Sequence, residues 1–456
     1  GKDYEYIAPH NLNFEDELVL EQFRKGNTDG IFQFESSGMK KTLEQIEASE
    51  LNDLFVANAL YRPGSMKFIQ NYADRKKGVE EYEFLHPDLK DILGNTYGII
   101  VFQEQLIEIG SLAKLKNPDE LRKATAKKNE TLLAKLKPEL YEGLGVRGWT
   151  VEQLDILWEI MLDFAKYSFN LSHSAAYAII AYICMYLKVY HPKEFICAWI
   201  NSYNGKVDKL KICMQEAKRL GIEVKISNWR EANTMCIVKD NHLELGTQTI
   251  KYCNAGIAEE FARLKHNQYD CFTDFIHELV NHSSLNKRQI TILTSLNAFR
   301  EFGKNDKLLK VLGFYGERLK NKNLIETTKA KRLEEIREFE KSIDDKSVDI
   351  KTQIKTEQEN LGFEFTRIPN LPDNVYMVTG IDDKYTTRLR LYKLKDGTVE
   401  EMKCNKTDMR ANPAFGEYSI IRMLGYKEKN KRQQVGDQWI ETGEKDRFLS
   451  SWTIIK

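Results

Sequence analysis

The residues best suited to chemistry fall in two short stretches. In the first, Asn117 to Asn129, Asn117 can cap a helix, Pro118 suits its first position and Glu120 can complete a capping box. On the helix this starts, Lys123 and Lys127 lie one turn apart, with Arg122 beside them and Lys128 near the edge of the same face. No acidic residue lies within Arg122–Lys128. Such a cluster suits a polyphosphate, whose charge must meet fixed cations when it leaves water. The bland alternative is a solvated basic face. In the second stretch, Tyr167 to Tyr177, Asn170, Ser172 and His173 precede a long apolar run. Ser172 is the expected N-cap, which would set unpaired N–H groups and the positive helix end beside Asn170 and His173. That describes an anion site, or equally a capped core helix with a satisfied histidine.

These stretches need scaffolding, and 456 residues exceed what one core supports, so several domains are expected. Composition is that of an ordinary globular chain, 42% hydrophobic and 30% charged. With 68 basic against 68 acidic residues, a polyanion must be met by local clusters rather than by net charge. Seven widely spaced cysteines with no C-x-x-C exclude a disulfide framework and a zinc knuckle, and fit a cytoplasmic setting. The uncharged run Ser174–Leu187 has 14 residues, short of the about 18–20 a membrane helix needs, and is expected to be buried in a core; no membrane partner is expected.

The pattern predicts a multidomain α+β chain. Residues 1–205 read as helical, and 206–316 as short helices with strands near Glu223–Ile226 and His242–Leu245. Residues 317–360 read as a charged helical linker or strap. Residues 361–456 read as a small β domain, in which Asp396-Gly397 would form a two-residue hairpin turn.

Five segments, in order, resemble the fingers motifs of family C polymerases, the bacterial DNA polymerase III alpha subunits. They are Gly30–Ser36, Leu60–Gly64, Thr96–Gln105, Leu121–Ala124 and Tyr167–Ala178. The resemblance is tight over about residues 28–195. It implies that Arg122, Lys123, Lys127, Lys128, Asn170 and His173 face the incoming dNTP, joined by Arg62 and Tyr167, whose bland alternatives are a buried turn and core packing. Leu171 stands where the family usually has lysine, which removes one cation.

Further on, Ile250–Ile257 and Leu285–Phe299 resemble a tandem helix-hairpin-helix region. There Lys251, Asn254, Gly256, Lys287 and Arg288 would meet DNA phosphates, Asn254 and Gly256 could take positive φ, and Asn297 would be a left-handed C′ residue. Plain helical hairpins are the alternative. Leu361–Thr366 resembles the entry to the family's OB domain, on which Arg388, Arg390 and Tyr392 share one side of a strand, as a DNA-binding surface or a solvated sheet face.

The family's catalytic palm holds two Mg²⁺ ions about 3.5–4 Å apart on carboxylates N-terminal to the Gly30 motif. Asp344-Asp345 and Asp382-Asp383 are unsuited to that task, and no histidine shows ligand spacing, so no catalytic or metal residue is assigned. The expectation is a chain inactive alone, completed by a separate palm-bearing chain or by the remainder of the same polymerase, acting on primer-template DNA in a bacterial or phage-infected cell. The rival is a non-catalytic DNA-binding or regulatory paralogue. A sliding clamp is a conceivable partner, but no Gln-x-x-Leu-Phe-like peptide occurs around 300–325.

Overall fold

The computed structural model describes residues 8–127, 129–164, 167, 169–203, 206–320, 324–435 and 438–455. The chain divides into two compact units, Gly1–Ile196 and Cys197–Lys456.

The first unit is helical: α1 (Glu17–Arg24), α2 (Ser37–Ile46), α3 (Leu51–Leu60), α4 (Ile69–Lys76), α5 (Lys90–Leu93), α6 (Gln103–Leu112), α7 (Asp119–Lys127), α8 (Glu130–Gly145), α9 (Val151–Phe164) and α10 (Leu171–Tyr190). The division falls within α11 (Pro192–Ser202). Two apolar clusters fill it, one around Phe23, Phe34, Leu54 and Tyr182, the other around Leu106, Leu121, Leu140 and Met161. The uncharged run lies in α10, which buries Ser174, Ala178, Ala181, Tyr182 and Met185 at helical spacing. At its far end the buried Lys188 donates to the carbonyls of Asn27 (3.0 Å) and Asp29 (2.7 Å), pinning the loop after α1. Asp53, fully buried, accepts from Tyr72 Oη, two backbone N–H groups and Lys76, so its charge is compensated.

The second unit opens with α12 (Val207–Arg219) and a small sheet of β1 (Glu223–Ile226), β2 (Ile237–Lys239) and β3 (His242–Leu245), β3 in the centre. Then come α13 (Ala255–Leu264), α14 (Phe272–His282), α15 (Lys287–Ser295) and α16 (Asn305–Arg318), packed on the buried rings of Trp229, Phe261, Phe275 and Phe299. The charged stretch forms α17 (Glu326–Ser342) and α18 (Ile350–Leu361), and each buries an acid. Glu340 accepts from the N–H groups of Phe272 and Thr273, both at 2.9 Å, capping α14 from a distant helix. Glu357 accepts from the N–H groups of Phe365 and Thr366, and burial pushes its carboxyl up.

The chain ends in β4 (Val375–Asp382), β5 (Thr387–Lys393), β6 (Val399–Cys404), α19 (Lys406–Ala411), β7 (Ile420–Val435) and β8 (Gln438–Ile455). These strands close a barrel in the order β4-β5-β6-β8-β7, with β6 and β8 parallel and the other pairs antiparallel, the arrangement of an OB barrel. Leu389, Leu391, Met402, Ile421 and Leu449 fill it. The connection at Asp396-Gly397 is longer than the two-residue turn expected: Lys393 pairs with Thr398, and Leu394, kept in an apolar cluster, bonds back to Val375.

Candidate functional site

A cleft of about 470 Å³ in the first unit is lined by the Gly30 loop, the end of α3 and the start of α10. Lys188 fixes the loop, and Gly30 (φ 76°) and Gln33 (φ 68°) take left-handed conformations, leaving Phe32 half exposed. Phe32 stacks on Tyr177 (5.3 Å), Tyr177 lies 4.3 Å from His173, and His173 sits edge-on to Phe169 at 5.3 Å. Arg62 completes the wall, its guanidinium 3.7 Å from the centre of the Phe169 ring. Tyr167 lies against Gly64, where an added Cβ would come within 2.2 Å of the ring; Gly64 also needs φ +97°. The Arg62-Pro63-Gly64 turn and Tyr167 are therefore shaped to each other.

The start of α10 corrects one expectation. Asn170, not Ser172, is the N-cap, its side chain accepting from His173 N–H at 2.8 Å. The first N–H of the helix, on Leu171, goes to Glu104 Oε2 (2.8 Å), and Glu104 Oε1 accepts from Asn170 Nδ2 (3.0 Å). A resident carboxylate thus takes up part of the positive helix end that was expected to face an anion. The basic helix is also partly compensated. Asp119, one turn before the cluster, pairs with Arg122 (2.6 Å) and Lys123 (2.7 Å); Arg122 first, then Lys123, hold its carboxyl down at about 2. Lys127 is exposed, and Lys128 lies outside the described residues.

The two stretches nonetheless meet. Arg122 Nη1 reaches Gln103 Oε1 at 3.4 Å, and Gln103 N–H donates to Phe169 O at 2.8 Å. The first turn of α6 joins the basic helix to the Asn170 cap. Sequence reading assigned no role to Glu104, Asp119, Phe32 or Tyr177. The usable signals were Glu104 inside the Thr96–Gln105 motif and Tyr177 one turn after His173.

In the second unit, Tyr252 adopts φ 66° and is half exposed, with Arg288 3.3 Å and Lys251 5.2 Å from its ring centre. Desolvation raises the phenol, but the charges of Arg288 and Lys251 outweigh it and leave its pKa below the ordinary value. Asn254 and Gly256 do not take positive φ: Asn254 is extended (φ −130°) at the N-cap of α13, and Gly256 lies within that helix. The start of α13 at Ala255 shifts the left-handed bend back to Tyr252. Asn297 is left-handed (φ 62°) just after α15. Gln289 Nε2 bonds Tyr252 O (3.0 Å), tying the two hairpins together beside exposed Lys287 and Arg288.

On β5 only Arg388 is exposed. Arg390 is bound by Glu364 through both terminal nitrogens and by Thr379. Tyr392 is buried, its hydroxyl donating to Thr366 O. The three do share the outer side of the strand, but Ile354 of α18 packs over its far end with Tyr392. Tyr392 is therefore no base-stacking platform, and Arg390 is committed within the protein.

Comparison with known proteins agrees with this anatomy. Residues 2–148 match the bacterial DNA polymerase III alpha subunit finger domain, and residues 221–309 match a helix-hairpin-helix motif. The DNA polymerase III subunit alpha of Aquifex aeolicus is 30% identical over 426 residues, 89% of this chain and 34% of that protein. That of Saccharopolyspora erythraea is 33% identical over 304 residues, 64% of this chain and 25% of that protein. That of Halalkalibacterium halodurans is 38% identical over 223 residues, 47% of this chain and 20% of that protein. A helical fingers domain, helix-hairpin-helix elements and an OB-like barrel in this order define a polymerase-related architecture. The chain belongs to the family of bacterial DNA polymerase III alpha subunits, and it spans about a third or less of these relatives' length. Among the described residues no helix is long and apolar enough to cross a membrane.

Proposed function

We propose that the first unit binds the incoming dNTP and the second grips primer-template DNA during DNA replication, as parts of a DNA polymerase whose metal-holding palm lies outside these residues. The observation that carries this reading is the aromatic cleft with Arg62 and His173 on its wall, coupled through Gln103 to the basic helix of Arg122, Lys123 and Lys127. A base can stack on the rings while the triphosphate meets the cations. Among the described residues no three His, Cys, Asp or Glu side chains converge as metal ligands. They do not fit Mg²⁺, and we derive no step through it.

Two observations favour the rival, a non-catalytic DNA-binding or regulatory paralogue that retains the fingers fold: Glu104 sits on the α10 N-terminus, and Asp119 takes two of the cations. The two readings agree on one measurement and part on a second. Alone, the chain should extend no primer. With the palm supplied, His173→Ala and Lys127→Ala should each lower incorporation efficiency roughly ten- to hundredfold, the effect of one charge-assisted contact, while primer-template affinity changes little. Unchanged incorporation with collapsed DNA binding would make the basic helix a DNA contact and defeat the nucleotide reading.

A further inference from the structure

A second concave site lies within the second unit, between α12 and the barrel: a groove of about 390 Å³ lined by Lys211, Lys218, Arg390, Thr398, Met214 and Phe363. Its charges do not balance. Arg390 is taken by Glu364, while its Nε is buried with no partner among the described residues. Arg219 is held by Glu216. Lys218 donates to Thr398 Oγ1 (3.1 Å) and stands 3.7 Å from Asp396, which also faces Lys393 at 3.5 Å. Lys211 makes no hydrogen bond or ion pair among the described residues, although it is half buried. Burial, then the charge of Arg390, push the Lys211 ammonium down; burial also lowers Lys218. Two desolvated ammonium groups face the same space: Lys211, which feels Glu364 and Glu401 without pairing with either, Glu364 of the groove wall being bound to Arg390, and Lys218, which shares Asp396 with Lys393. An ammonium meets oxyanions from many directions, so such a pair suits phosphoryl oxygens better than a planar carboxylate.

We propose that this groove binds a phosphate-bearing anion of about the size of pyrophosphate, held by Lys211 and Lys218 over the apolar floor of Met214 and Phe363. The phosphates could belong to a free polyphosphate or to a DNA strand, and the experiment distinguishes the two. This site is independent of the nucleotide reading of the first unit, so the readout must be local. In the full chain with ¹³C-methyl methionine, the Met214 methyl signal is followed during titration with sodium pyrophosphate at constant ionic strength. A saturable shift is expected, weakened roughly tenfold or more in Lys211→Ala and in Lys218→Ala, and largely restored in Lys211→Arg. Reversal of the shift by a short single-stranded oligonucleotide assigns the site to strand phosphates; no reversal assigns it to a free polyphosphate. Lys211→Gln serves as a second variant should the alanine substitution unfold the chain. The absence of a saturable shift with either probe, or a shift unaltered in folded Lys211 and Lys218 variants, overturns the proposal.

Discussion

The cleft of the first unit and the outer face of the barrel each set an arginine near aromatic rings, and they use it in opposite ways. Arg62 lies over the Phe169 ring at a cleft whose wall continues through His173 and Tyr177. Arg390 is locked between Glu364 and Thr379, while Tyr392 on the same side of the strand is buried with Ile354. The first arrangement leaves a cationic, stackable surface; the second spends the same residue types on docking a helix against a barrel. Residue type and spacing therefore do not separate binding from architecture. What separates them is where the neighbouring carboxylate sits and whether another element covers the face.

The difference can be broken at its structural end with the largest effect. Glu364→Ala should destabilise the second unit by about 3–5 kcal/mol, since it strands a guanidinium whose side chain is only 13% exposed. Glu364→Ala combined with Arg390→Met should recover much of that loss. Urea unfolding of the full chain checks both; a loss below about 1 kcal/mol would put Arg390 among weak surface pairs.

At the cleft, Glu104→Ala removes the carboxylate from the α10 N-terminus. Stability should fall by about 1–2 kcal/mol, the scale of a lost cap and helix-end charge. The vacated helix end should then bind simple anions such as sulfate, seen as sulfate-dependent recovery of the thermal midpoint. No sulfate effect would mean that Asn170 alone satisfies that end.

The smallest effect concerns Asp119. Its carboxyl is held at about 2 in the folded chain, below the ordinary value of about 4. A lowered folded value contributes stability that is complete above about pH 4 and is lost as pH falls toward 2. Asp119→Asn should flatten the acid limb of the stability profile over that window, lowering stability slightly at neutral pH, where the pair contributes, and leaving it nearly unchanged near pH 2. An unchanged acid limb would show that the pair with Arg122 and Lys123 is not held in solution.

Much of this was legible in the sequence because it is local. Helical periodicity and Pro-Gly breaks marked the first unit, period-two alternation put Arg388, Arg390 and Tyr392 on one side of β5, and Asn297 took the left-handed bend its type favours. What escaped depends on distant partners. Asn170 and Ser172 are both good caps two residues apart, and Glu104 of α6 bonds Asn170 and the first helical N–H. Whether an outward tyrosine on β5 is wet or dry depends on α18. At the first hairpin, α13 begins at Ala255 and so holds Gly256 in helical conformation, and the left-handed position falls to Tyr252 instead.

Glu340 sets a limit on how the charged stretch can vary in length. It caps α14 across 68 positions of chain from a helix whose composition looks like a spacer. Each residue inserted or deleted inside α17 ahead of Glu340 turns the carboxylate by about 100° around the helix axis, since a turn takes about 3.6 residues. Lineages that lengthen or shorten this stretch can do so in the connections flanking α17 or by near-whole turns. Other changes within α17 would swing Glu340 away from the first turn of α14.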